Sequence, residues 1–238
     1  MNTKQFLPII SLGILTILPF QPATAEGNSF LTALLRFTGI TATPGAVRGN
    51  DNFAAGNIWL VQIEAAKASE PRKITNNGNY HTPLWIPGSQ AILAMKSDKL
   101  VKLNAQGNEE KTLHTLTRNT ALLGFDKHDT YRILVLQRPL AVGVLALANG
   151  QITPLPYDRN NSKEREAFDQ LRRDFRSYDS VKVSVNEKKK PDSQGRFKSF
   201  YTILIEQLAG KDLSISCPSD CSQPALAENG QQLLFIGH

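Results

Sequence analysis

Thr82-Pro-Leu-Trp-Ile-Pro-Gly-Ser-Gln-Ala-Ile-Leu-Ala-Met95 and Gln223-Pro-Ala-Leu-Ala-Glu-Asn-Gly-Gln-Gln-Leu-Leu-Phe-Ile236 follow one pattern: a proline, a short strand, a glycine-bearing turn and a second, apolar strand. Stretches this short that are apolar or alternating, with Pro-Gly or Asn-Gly between them, read as hairpins. Two copies in one chain point to a repeated supersecondary unit.

Outward from the first copy, Asp98-Lys-Leu-Val-Lys-Leu-Asn-Ala-Gln-Gly107 and Lys111-Thr-Leu113 form a further strand pair around a polar turn. The second copy runs into the end of the chain without such a pair. Its missing half has a candidate at the other end, where Gly56-Asn-Ile-Trp-Leu-Val-Gln-Ile63 and Arg72-Lys-Ile-Thr75 have the same strand, turn, strand form. Pairing the two ends would close a ring of sheets and protect edges that an open array exposes. A third unit is expected from about Leu122 to Leu155 and a looser fourth from about Ser180 to Ser216.

The remaining apolar runs also read as strands: Ile133 to Leu136, Val142 to Leu147, Val181 to Val185 and Tyr201 to Ile205. Many short strands with regular turns fit a sandwich, a barrel or a propeller. The repeat and the split unit select the propeller.

Gly56-Asn-Ile-Trp-Leu-Val61, Arg72-Lys-Ile-Thr75, Pro83-Leu-Trp85 and Pro224 to Ile236 resemble the TolB-like (WD-type) β-propeller repeat, in which an aromatic strand leads to a Ser-Pro-Asp-Gly turn and an apolar strand. Here the turn stands as Ile86-Pro-Gly-Ser89 and Ala227-Glu-Asn-Gly230. The resemblance implies an all-β propeller over residues 57–238, of four blades or five, preceded by an arm over 26–56. It further implies a module that binds rather than catalyses.

At the start, Lys4 precedes the charge-free run Phe6 to Phe20, and Ala23-Thr24-Ala25 offers a small-x-small cleavage site. This reads as a signal peptide over 1–25, too short for a comfortable membrane span, and predicts a periplasmic or secreted protein. Removing 25 of 238 residues leaves 213, enough for one domain, and takes Lys4 with it, so the net charge falls from +6 to +5. The two cysteines, Cys217 and Cys221, are expected to form one local disulfide in an oxidising compartment.

Two features interrupt the repeat within 158–200. Ser162 to Ser177 carries Phe168, Leu171 and Phe175 on one face, with Asn161 and Glu164 placed as cap and return partner, which predicts an amphipathic helix bearing Arg172 and Arg173. Asn186 to Lys198 reads as a long hairpin tip carrying Lys188, Lys189, Lys190, Arg196 and Lys198. Its charge suits an anionic envelope polymer or acidic lipid, and Phe197 is the one aromatic noted there, too few for a nucleic-acid surface. These basic residues are the candidate partner-binding set.

Asp126-Lys-His-Asp129 sets His128 between Asp126 and Asp129, a weak polar cluster that turn preference already accounts for. His81, His114 and His238 lack metal-site spacing, and no Gly-x-Ser-x-Gly elbow, phosphate-binding glycine loop or His-Glu-x-x-His helix occurs. No catalytic residue, metal or cofactor is therefore assigned. Trp59 and Trp85 sit where blade packing needs bulk. The expected function is an exported, non-enzymatic binding module for a protein or envelope component. A propeller hydrolase or lyase acting on an envelope polymer, and a β-sandwich adhesion or inhibitor domain, are the alternatives.

Overall fold

A computed structural model describes residues 53–117, 119–137, 141–155, 161–164, 166, 167, 170, 175, 181–191, 194–208 and 210–238. The expected leader over 1–25 and all but the last residues of the expected arm over 26–56 lie outside them. In chain order the strands are β1 (Asn57–Glu64), β2 (Lys67–Ala68), β3 (Arg72–Lys73), β4 (Tyr80–Trp85), β5 (Ile92–Lys96), β6 (Lys99–Leu103), β7 (Glu109–Thr115) and β8 (Thr120–Phe125). They continue as β9 (Arg132–Gln137), β10 (Ala141–Ala146), β11 (Ile152–Pro154), β12 (Lys182–Pro191), β13 (Phe197–Leu208), β14 (Lys211–Ser216), β15 (Cys221–Leu226) and β16 (Gln232–Gly237).

These strands make four antiparallel sheets: β4 to β7, β8 to β11, β12 to β14, and a sheet assembled from both ends of the described chain. In that last sheet β15 pairs β16, β16 pairs β1, and the short β2 and β3 line the far side of β1. The register runs from Asn57 opposite Gly237 to Gln62 opposite Gln232, so the ring closes through β1 and β16. The chain is a four-bladed β-propeller.

Packing follows from the apolar runs. Ile92 to Met95, Ile133 to Leu136 and Leu233 to Ile236 are buried at every residue, as expected of second strands covered on both blade faces. One side of β5 and β6 (Leu93, Met95, Leu100) meets Leu122, Ile133 and Val135 of the next blade, while their other side (Ile92, Ala94, Val101) meets Ile58, Leu60 and Ile236. Val185, Ile203 and Ile205 pack on Val61, Leu233 and Phe235. Each fully buried side chain of this size contributes about 1.5–3 kcal/mol. Trp59 stacks on Phe235 with ring centroids 6.2 Å apart, and Trp85 is buried, so both tryptophans serve the packing expected of them.

The repeat is visible in backbone detail. β4, β8 and β15 each slip register once against their neighbour, between His81 and Leu84, Leu122 and Gly124, and Ser222 and Ala225. Pro83 and Pro224 sit at two of these bulges, inside the strands rather than ahead of them. A bulge leaves a residue out of the ladder, so a proline without an N–H is tolerated there.

The insertion is shorter in helix than its pattern predicts. Residues 162–164, 166, 167 and 170 are helical, and Asn161 caps them, with Lys163 N donating to its Oδ1 at 3.2 Å and its Nδ2 donating to Glu164 Oε1 at 3.0 Å. Phe168 and Leu171 lie outside the described residues. Phe175 sits in a turn instead of the helix and is buried among Phe53, Ala121, Leu134, Leu136, Val142 and Val144. Gly124 permits this: a Cβ there would stand 2.0 Å from the Phe175 carbonyl oxygen.

Candidate functional site

Thr82, Leu122 and Gln223 are the third residues of β4, β8 and β15, and hydrogen bonds tie them side by side. Gln223 Oε1 accepts from Thr82 N, and Leu122 N donates to Thr82 Oγ1 at 3.2 Å. These strands therefore start on one face of the ring, termed here the entry face. Backbone strain marks the level: Thr82 and Gln223 have φ of 46° and 55°, where a non-glycine residue is uncommon.

Phe53 to Ala55 strap across the start of these strands. Phe53 stacks on His81 at 5.8 Å, the Ala54 carbonyl accepts from Gln223 Nε2 at 3.0 Å, and the Ala55 carbonyl lies 3.0 Å from His238 Nδ1. His81 is buried, its Nε2 lies 3.3 Å from the Ser97 carbonyl, and Thr82 Oγ1 is a long 3.5 Å from its Nδ1. The carbonyl requires Nε2 to carry the proton, leaving Nδ1 as an acceptor for the threonine hydroxyl. Burial pushes the His81 pKa down to about 4, partly offset by the bond to Ser97. The inner strands of three blades, β4, β8 and β15, are thus tied by a hydrogen-bonded polar layer beside the buried His81. The sequence reading left His81 and Gln223 without roles, because their partners are remote in the chain.

A second pair joins this layer: Ser222 Oγ lies 3.1 Å from His238 Nε2. The Ala55 carbonyl accepts a hydrogen bond from Nδ1–H, so Nε2 is left to accept from the Ser222 hydroxyl. A hydroxyl, a base and a group orienting the base are chemically the start of a nucleophile, although Ser222 is buried.

The basic hairpin rises from the same face. β14 ends at Ser216, and after a four-residue turn β15 begins on the entry face. β13 runs antiparallel to β14, and β12 to β13, so the β12 end and the tip beyond it point that way too. Lys188, Lys189, Lys190, Arg196 and Lys198 are all exposed on it. Arg172 and Arg173, the other two residues of the candidate binding set, lie outside the described residues. Cys217 and Cys221 form a disulfide with Cα atoms 6.1 Å apart, fastening the end of β14 to the start of β15 and so one blade to the next.

Asp126, His128 and Asp129 are a hairpin turn on the opposite face. The Asp126 carboxylate accepts from His128 N at 2.9 Å and pairs with Arg132 at 3.1 Å, while Asp129 Oδ1 accepts from Tyr131 N at 3.0 Å. Among the described residues, no three His, Cys, Asp or Glu side chains converge as a metal site.

No family model matches the chain, and no curated protein does. Among solved structures it is similar to the crystal structure of the WD40 beta propeller domain of Doa1, at 11% identity and a TM-score of 0.26, over 69% of this chain and 52% of that one. The chain thus spans about half the length of that structure. So low a score carries no argument, and the propeller assignment rests on the four sheets and the β1 to β16 pairing.

Proposed function

We propose that this protein is an exported propeller of TolB-like kind, cleaved near Ala25, that binds a protein or another component of the cell envelope through its entry face. The observation that carries the reading is the shape of that face. A rigid ring, the inner strands of three of its blades tied by buried hydrogen bonds, presents one long, exposed, charged hairpin at its rim. Rigid scaffolds that project exposed loops are the common way of building a binding site. The test compares the form starting at Glu26 with a Lys188→Glu, Lys190→Glu, Lys198→Glu variant in cross-linking on intact envelopes. A discrete adduct lost in the variant supports the reading, and identical adducts in both contradict it. Mass analysis of the exported protein checks Glu26 as the first residue.

The hydrolase alternative draws on Ser222 and His238. Its test is labelling with a fluorophosphonate: modification of Ser222 that disappears in His238→Ala supports it, and an unlabelled native protein removes it.

A further inference from the structure

We infer that the hairpin of β12 and β13 is a membrane finger that inserts its tip into the interface of a bilayer rich in anionic lipid. The inference deepens the reading above by naming the envelope component.

Strands β12 and β13 pair without interruption over ten positions, from Lys182 opposite Glu206 to Pro191 opposite Phe197. Burial ends far short of the tip: Val185 and Ile203 are the last buried pair. Tyr201, opposite Glu187, is the last side chain packed on the blade core, and Pro191 lies four positions beyond Glu187, so at about 3.3 Å per residue the tip stands roughly 13 Å beyond the packed blade. An exposed two-stranded ribbon of this length is marginal alone, and its register here is continuous with the buried part of the blade.

Side chains alternate between the ribbon's two faces. One carries Lys188 opposite Phe200 and Lys190 opposite Lys198; the other carries Lys189 opposite Ser199 and Pro191 opposite Phe197. Phe197 is 74% exposed and Phe200 46%, two of the large apolar side chains most open to solvent among the described residues. Lys190 and Lys198 hold their ammonium groups 5.9 Å and 5.8 Å from the Phe200 ring centroid. Beyond Val185 and Ile203 the acid in the paired ribbon is Glu187, which is occupied by the Ser199 hydroxyl at 2.6 Å and, more distantly, by Lys189, while Asp192 in the turn lies outside the described residues.

Both faces of the tip therefore combine lysine with an exposed phenylalanine. A folded partner docking on one face would leave the other bare. A bilayer interface surrounds an inserted tip, taking Phe197, nearest the turn, among the upper acyl chains and leaving Phe200 with the lysines at the level of the anionic headgroups. Lysine stems reach outward along the ribbon while their charge stays at the headgroup level.

Every described strand lies after residue 56, so the form starting at Glu26 keeps the whole propeller without the apolar leader. That form is sedimented with vesicles of phosphatidylglycerol and phosphatidylcholine in equal parts, and with phosphatidylcholine alone. Binding is expected only to the anionic vesicles. Lys188→Glu, Lys190→Glu, Lys198→Glu should weaken it by at least roughly a hundredfold, since each neutralised lysine near such a surface accounts for about fivefold. Phe197→Ser with Phe200→Ser should weaken it with the charge kept. Should a variant fail to fold, Phe197→Trp reports the same event through quenching by brominated lipid. Quenching supports insertion. Vesicle binding unaffected by these substitutions, absence of binding, or equal binding of the wild type and the phenylalanine variant overturns the inference. Loss of vesicle binding beside a retained protein cross-link would reject the finger and leave the protein-binding reading standing.

Discussion

Gln223 of β15 caps the backbone N–H of Thr82 in β4 with its side-chain oxygen, joining two residues that occupy the same third position in neighbouring inner strands. Both precede a proline, both take a positive φ, and both sit at a bulge. The amide spans the gap between blades, its nitrogen donating to Ala54 as its oxygen serves Thr82. Gln223→Leu keeps the bulk and removes both bonds. It is expected to cost about 1–3 kcal/mol, because the buried Thr82 N–H loses its acceptor. Urea unfolding measures this, and an unchanged midpoint would show that the layer does not bind the blades.

The His81 imidazole makes the fold pH-sensitive. Its folded pKa, about 4, lies below the 6.5 of the free side chain, so the unfolded chain binds the extra proton between those values. Its contribution is complete above about pH 6.5 and is lost as pH falls towards 4, up to about 3 kcal/mol at 1.36 kcal/mol per unit. Thermal midpoints across this window should drop in the native protein and drop less in His81→Phe. Parallel curves would contradict the assignment.

Much of this architecture was legible in the sequence because it is local. The runs at Ile92, Ile133 and Leu233, the glycine turns and the Asn161 cap each arise from residues a few positions apart, and the paired Thr82 and Gln223 copies exposed the ring closure. What escaped was long-range or strained. The role of Gln223 depends on a strand that starts far away in the chain, and the strap from Phe53 has no periodicity. Phe175 looked helical by spacing, yet Gly124 admits its backbone against β8 and tertiary packing overrides the pattern. The exposed basic hairpin and the disulfide, as features of structure, were readable from composition and spacing. Phe200 was overlooked there, since an aromatic in a strand reads as core until its exposure is seen.

Closure demands two glycines. A Cβ on Gly56 would stand 2.3 Å from the Gly237 carbonyl oxygen, and one on Gly237 would stand 2.4 Å from Trp59 Nε1. Gly56→Ala meets backbone that cannot swing aside and should destabilise by about 1–3 kcal/mol. Gly78→Ala is the comparison, because nothing lies within 4 Å of that site and only its φ of 66° is unfavourable. Calorimetry on the two variants should rank Gly56→Ala as the more damaging; the reverse order would argue against the tight contact of β1 with β16.

The disulfide closes so short a loop that its effect is modest. With a separation of four residues, Cys217→Ser with Cys221→Ser should lower stability by about 2 kcal/mol through unfolded-state entropy. The variant should still fold, with β14 and β15 loosened in hydrogen exchange. Complete loss of folding would mean that the bridge, rather than packing, holds the two blades together.

The ring closure itself is tested most directly by a cross-link. Gln62 and Gln232 lie opposite each other in β1 and β16, and Ile63 N donates to Gln231 O at 2.7 Å in the adjoining hydrogen-bonded pair. Positions 62 and 232 thus form a non-hydrogen-bonded pair, with Cα atoms about 4.5 Å apart, within reach of a disulfide. Gln62→Cys with Gln232→Cys, purified under oxidising conditions and mapped by mass spectrometry, should yield a 62 to 232 bridge and a raised thermal midpoint. A folded protein in which both new cysteines stay as free thiols would contradict the closed four-bladed propeller.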